Sequence, residues 1–117
     1  MVSFTREGAD GIAQIKQAVS QLRQSPPQEV CGSPVLAVRD YQSRQRKDAA
    51  GNITPIDLPP SNIIYLELPE GSLIFRPSGT EPKLKTYISV SGDSEDAAKA
   101  RLAEVTAAAK GTVDALL

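Results

Sequence analysis

Apolar and polar positions alternate along the chain in two helical patterns and four strand-like ones. Ile12, Ile15, Val19 and Leu22 recur at every third or fourth position between Asp10 and Gln24, separated by Gln14, Lys16, Gln17, Gln21 and Arg23. That spacing places one apolar stripe on a helix. Asp10 suits its start, where a carboxylate meets free amides and the positive dipole end. Ser25-Pro26-Pro27 stops it, because proline cannot continue the backbone ladder. The runs 34–41, 62–68 and 73–76 are short and rich in β-branched and aliphatic residues, and they read as three strands. Pro69-Glu70-Gly71-Ser72 supplies a tight turn between the last two.

Residues 83–90 alternate strictly, with Leu84, Thr86, Ile88 and Val90 on one face and Lys83, Lys85, Tyr87 and Ser89 on the other. This predicts a half-buried fourth strand. After the break at Ser91-Gly92, Asp93 or Ser94 is placed to cap a second helix. Its stripe is Ala98, Leu102, Val105, Ala109, Val113 and Leu116, and Gly111 weakens its last turns. The order α-β-β-β-β-α predicts an α+β fold, a four-stranded, mainly antiparallel sheet with two helices packed on one face. Residues 42–61 are polar and broken by Gly51-Asn52, Pro55 and Pro59-Pro60, and they read as a long loop. Arg44, Arg46 and Lys47 within it are expected to be solvated and to take no part in ligand binding. Neutralising them should then move stability by no more than about 0.5 kcal/mol each.

Composition narrows the function classes. A length of 117 residues suits one domain, read here as 10–117 after an N-terminal extension at 1–9. Thirteen basic and fourteen acidic residues give a net charge of -1, which argues against a nucleic-acid partner. The chain has no histidine, so the commonest general base and metal ligand is absent. Its single cysteine, Cys31, permits no intrachain disulfide and no cysteine metal site; it reads as an inert buried or half-buried thiol. No segment approaches the ~20 apolar residues of a membrane span, and the N-terminus has no apolar signal core. A cytoplasmic protein with no membrane partner is expected.

One segment carries chemistry: Arg76-Pro77-Ser78-Gly79-Thr80-Glu81-Pro82-Lys83. Two prolines stiffen it, and Gly79 permits the turn that aims successive amides into one concavity. The amides of Ser78, Gly79 and Thr80, two hydroxyls and the planar fork of Arg76 are donors that suit a tetrahedral dianion. Lys83 and Lys85 share a face of the next strand and add positive charge. Glu81 would have to turn away from a phosphate, onto a lysine or a loop amide. The bland alternative is a surface turn with incidental hydroxyls. No Gly-rich nucleotide loop of the G-x-x-x-x-G-K-[ST] type occurs.

This octapeptide resembles the C-terminal phosphate-binding loop of the α-D-phosphohexomutases, the phosphoglucomutase/phosphomannomutase family. A looser likeness runs from the helix at Asp10 through Val38-Arg39-Asp40-Tyr41 and Leu58-Pro59-Pro60-Ser61-Asn62 to the closing helix, and is nearest to bacterial phosphoglucomutases. The resemblance implies the last of four domains in an enzyme that interconverts hexose 1-phosphate and hexose 6-phosphate through a bisphosphate. It implies that this domain grips the phosphate that is not reacting and helps close the site, through Arg76, Ser78, Gly79 and Thr80, with Lys85 as a weaker match. Glu81 and Lys83 would support that grip. Catalytic residues are then expected elsewhere, as are the Mg2+ and the phosphoserine of the family; this chain alone would bind no cofactor and would be inactive. Its partners would be phosphosugar and the other domains of the same enzyme. A stand-alone, non-catalytic phosphosugar-binding module is the alternative.

Overall fold

Both amphipathic stripes are buried against one face of one sheet. The computed structural model describes residues 2–5, 10–30, 32–77 and 83–116. Helix α1 (Gly11–Gln24) buries Ile15, Ala18, Val19 and Leu22, and α2 (Glu95–Leu116) buries Val105, Ala109 and Val113. Asp10 is the N-cap of α1 through its backbone, its carbonyl accepting from the Gln14 amide, with no side-chain cap bond. At α2 the Ser94 hydroxyl accepts from the Ala97 amide at 3.1 Å, so of the two expected caps serine takes the role. Leu102 is 40% exposed and lies outside the buried stripe.

The strands are β1 (Val2–Thr5), β2 (Glu29–Val30), β3 (Ser33–Pro34), β4 (Ala37–Asp40), β5 (Gln45–Asp48), β6 (Ile53–Pro55), β7 (Ile64–Leu68), β8 (Gly71–Pro77) and β9 (Lys83–Val90). Among the described residues they form one seven-stranded sheet in the order β1-β9-β8-β7-β4-β5-β6, every pairing antiparallel, and a separate β2-β3 ladder. The α+β class and the antiparallel sheet are as the pattern predicts, but four strands are too few. Two causes account for the difference. Residues 45–48 and 53–55 pair as a polar hairpin beyond the helical layer, so neither strand carries the apolar alternation that marks a half-buried one. The segment 1–9, set apart as an extension, contributes β1 at the far edge against β9.

The inner face is aliphatic. Ile64, Leu66 and Leu68 of β7, Leu73 and Phe75 of β8 and Leu84 of β9 are buried, and they join the helical residues, Val30 and Val35 in one core cluster. In β9 the predicted alternation holds, Leu84 and Thr86 inside and Tyr87 and Ser89 on the other face. Gly71 opens β8 because its neighbour leaves no room: a Cβ there would lie 1.7 Å from the Ser89 carbonyl oxygen. Polar ties fix the helices onto the sheet. Arg23 donates to Asp40 at 3.0 Å and to Asn62 at 2.6 Å, joining the end of α1 to β4 and to the loop before β7. Arg101 of α2 donates to Glu70 at 3.0 Å, and Glu70 also accepts from Ser33 of β3.

Thr86 is the exception inside. Its hydroxyl is fully buried and has no hydrogen-bond partner among the described residues. A buried polar group left unpaired costs about 1–3 kcal/mol. Thr86→Val keeps the branched shape and removes the orphan, so it is expected to raise stability by about 1 kcal/mol. A urea titration of the two proteins measures the difference.

Candidate functional site

The outer face of the sheet carries the charge. Arg76, the penultimate residue of β8, is exposed and lies directly opposite Lys85 of β9. Like charges facing each other across two strands are unfavourable. Neither side chain has an ion pair among the described residues, so no carboxylate of those residues neutralises the two facing cations. Lys83 begins β9 on the same face. The sequence-predicted residues Arg76, Lys83 and Lys85 are therefore brought together by register. The last described pair toward the chemistry-bearing loop is Pro77 with Leu84. Expectations for Ser78, Gly79, Thr80 and Glu81 fall outside the described residues, as does the reading of Cys31.

A second group on this face gave no signal as a motif. Glu67 of β7 accepts from Arg39 of β4 at 2.9 Å and, through both carboxylate oxygens, from Arg46 of β5 at 2.6 and 3.1 Å. Arg39 also lies 4.5 Å from the ring centre of Tyr65, within cation–π range. Asp48 lies on the same face beside Arg46, so two guanidiniums stand with two carboxylates and this end of the face is charge-balanced, unlike the pair Arg76 and Lys85. Arg46 thus departs from the expected solvated run: it is a half-buried strand residue, whereas Arg44 occupies the preceding turn at φ 61° and Lys47 is exposed. Its removal should cost more than the ceiling of about 0.5 kcal/mol expected of a surface residue, because it strips two charge-assisted bonds from Glu67.

The Arg46 hydrogen bonds, reinforced by Arg39 and working against burial, hold the Glu67 carboxyl below the usual range. Burial pushes the Asp40 carboxyl up, but the bonds from Arg23 and Ser43 prevail and it too lies low. A group whose pKa is depressed on folding adds stability above its unfolded pKa and loses it as pH falls through the folded value. Both contributions are therefore full at neutral pH and fade below about pH 4, where unfolded carboxylates protonate. Glu67→Gln is expected to cost about 1 kcal/mol at pH 7, and the gap to wild type should shrink steadily toward pH 3. Thermal melts across that range test the sign.

An open cleft of about 1000 Å3 lies between the end of α1 and the β5–β6 hairpin, lined by Pro26, Pro27, Val38, Asp40, Lys47 and Ile53. It contains none of the sequence-predicted phosphate residues.

The cationic pair at the mouth of a β-hairpin acquires a context from known families. The family model for the phosphoglucomutase/phosphomannomutase C-terminal domain matches residues 35–109, from just before β4 to within α2. The chain belongs to that family. Phosphoglucomutases of three staphylococci are similar to it: 39% identity over 97 residues in Staphylococcus epidermidis, 40% over 91 in Staphylococcus aureus and 40% over 89 in Staphylococcus haemolyticus. The aligned parts cover 82%, 77% and 75% of this chain but only 18%, 16% and 16% of those enzymes. The chain thus spans less than a fifth of the curated phosphoglucomutases it matches. The family match covers Lys85 and the whole octapeptide 76–83, which runs from the end of β8 to the start of β9.

Proposed function

We propose that this chain is the phosphate-gripping domain of a phosphohexomutase, an isomerase that moves a phosphoryl group between the 1 and 6 positions of a hexose. The observation that carries this reading is the facing pair Arg76 and Lys85, unneutralised among the described residues, at the base of Arg-Pro-Ser-Gly-Thr-Glu-Pro-Lys. Two uncompensated cations on adjacent strands raise the energy of the empty domain, and a dianion relieves that repulsion. Arg76 supplies a bidentate fork and Lys85 a point charge. Ser78, Gly79 and Thr80 would add amide and hydroxyl donors, and Glu81 and Lys83 would steady the loop.

Such a grip reads only the phosphate, so it holds either end of a sugar that must turn around between two transfers. Binding energy at the remote phosphate orients the reacting end and favours closure of the cleft. The transferring phosphoserine and the Mg2+ of the reaction would belong to other domains of the enzyme. The absence of histidine costs such a domain nothing, because the grip needs hydrogen-bond donors and positive charge and not a general base.

The reading is tested on the chain itself. Amide-resonance NMR with inorganic phosphate and with glucose 6-phosphate should show saturable shifts clustered at Arg76, Lys85 and the residues between them. A coupled assay should show no mutase turnover, with or without Mg2+ and a hexose bisphosphate. Shifts confined to the cleft around Val38 and Ile53, or none at all, would overturn the proposal.

A further inference from the structure

Tyr87 stands two residues beyond Lys85 on the same face of β9, opposite Ile74 and diagonal to Arg76. Diagonal neighbours on one sheet face lie within reach of aromatic and long side chains. Its side chain is among the few large ones left exposed, at 37%, and its hydroxyl has no hydrogen bond among the described residues. Tyr65, in the same cross-strand row beyond Ile74, differs: it is half-buried and Arg39 covers its ring. Arg76, Lys85 and Tyr87 therefore form a corner made of donors, with no acceptor paired to any of the three among the described residues.

We propose that Tyr87 is a further ligand-contacting residue of this site, its phenolic O–H donating to an oxygen of the bound phosphate. The phenol suits that place. It adds a donor without adding a third charge beside two cations that already repel. Its ring lies across from Ile74 in the strand register, so the hydroxyl is carried on a side chain with only two torsions to order. A neutral donor to a dianion makes a charge-assisted bond, stronger than one between neutral groups. The inference rests on the phosphate reading of Arg76 and Lys85 and extends it to a residue outside the octapeptide.

The test uses the 117-residue chain, titrated with inorganic phosphate and with glucose 6-phosphate by amide-resonance NMR. Four proteins are compared: wild type, Tyr87→Phe, Arg76→Ala and Tyr65→Phe. Tyr87→Phe should weaken both ligands about tenfold, the worth of one hydrogen bond to a charged group, with an unchanged thermal midpoint. Arg76→Ala should weaken them more, and Tyr65→Phe should leave both affinities at the wild-type value. Loss with Arg76→Ala but a change under twofold with Tyr87→Phe would overturn the role of Tyr87 and leave the phosphate site standing. An effect of Tyr87→Phe on glucose 6-phosphate alone would put the hydroxyl at the sugar and overturn its assignment to the phosphate. Failure of the wild-type chain to bind either ligand, or equal affinity in Arg76→Ala, would overturn both readings together.

Discussion

Arg76→Ala, placed in a full-length phosphoglucomutase that carries this domain, should lower kcat/KM by about 2–4 kcal/mol, the loss typical of a hydrogen-bonded charge contact. At about 1.36 kcal/mol per decade that is roughly thirty- to nine-hundredfold. Both parameters should move: KM rises because a fork on the phosphate is gone, and kcat falls because a loosely held remote end misaligns the reacting one. Arg76→Lys should recover only part, since Lys85 already supplies a point charge opposite and a second ammonium restores repulsion without the planar fork. Stability should change little or rise, because the substitution to alanine removes one member of a like-charged cross-strand pair. Steady-state kinetics within twofold of wild type, from protein with an unchanged melting curve, would remove Arg76 from the site.

What makes this residue readable is its local setting. The octapeptide declares its donors in eight consecutive positions, and the strict alternation of residues 83–90 is enough to assign Lys85 to the solvent face. The inner face is equally legible, because Leu73, Phe75, Leu84 and the helix stripes follow periods of two and 3.6 that burial imposes. The hairpin β5–β6 is not. Its strands lie beyond the helical layer with polar residues on both faces, and Ile53 is 56% exposed, so pairing there leaves no hydrophobic signature. The Arg39–Glu67–Arg46 group is hidden for a different reason. Its members come from three strands as distant in sequence as 28 residues, and only the register of β4 with β5 and β7 brings them to one place. Tyr87 lies between these cases: the alternation puts it outside, but its position diagonal to Arg76 needs the pairing of β8 with β9.

Phe75→Ala should destabilise the chain strongly, and it separates folding from binding at adjacent positions. Phe75 precedes Arg76 in β8, yet the pleat turns it to the opposite face, where it is fully buried between Ile64 of β7 and Thr86 of β9. Truncating a buried phenylalanine removes its transfer free energy and leaves a cavity, about 3–5 kcal/mol in comparable cores. Domains of this size hold only about 5–15 kcal/mol in total, so at least about a fifth of the stability is at stake. The neighbours offer little repair. Thr86 presents an unpaired hydroxyl toward this layer, and a cavity lined by Leu, Ile and one lone hydroxyl gives a water too few partners. Phe75→Leu should cost far less, about 1–2 kcal/mol, because most of the volume stays. In urea titrations Phe75→Ala should shift the midpoint strongly, and whatever fraction remains folded should bind phosphate as wild type does. Arg76→Ala should show the reverse, a preserved midpoint with weakened binding. If the two variants changed the same quantity, the division of β8 into a packing face and a ligand face would be wrong.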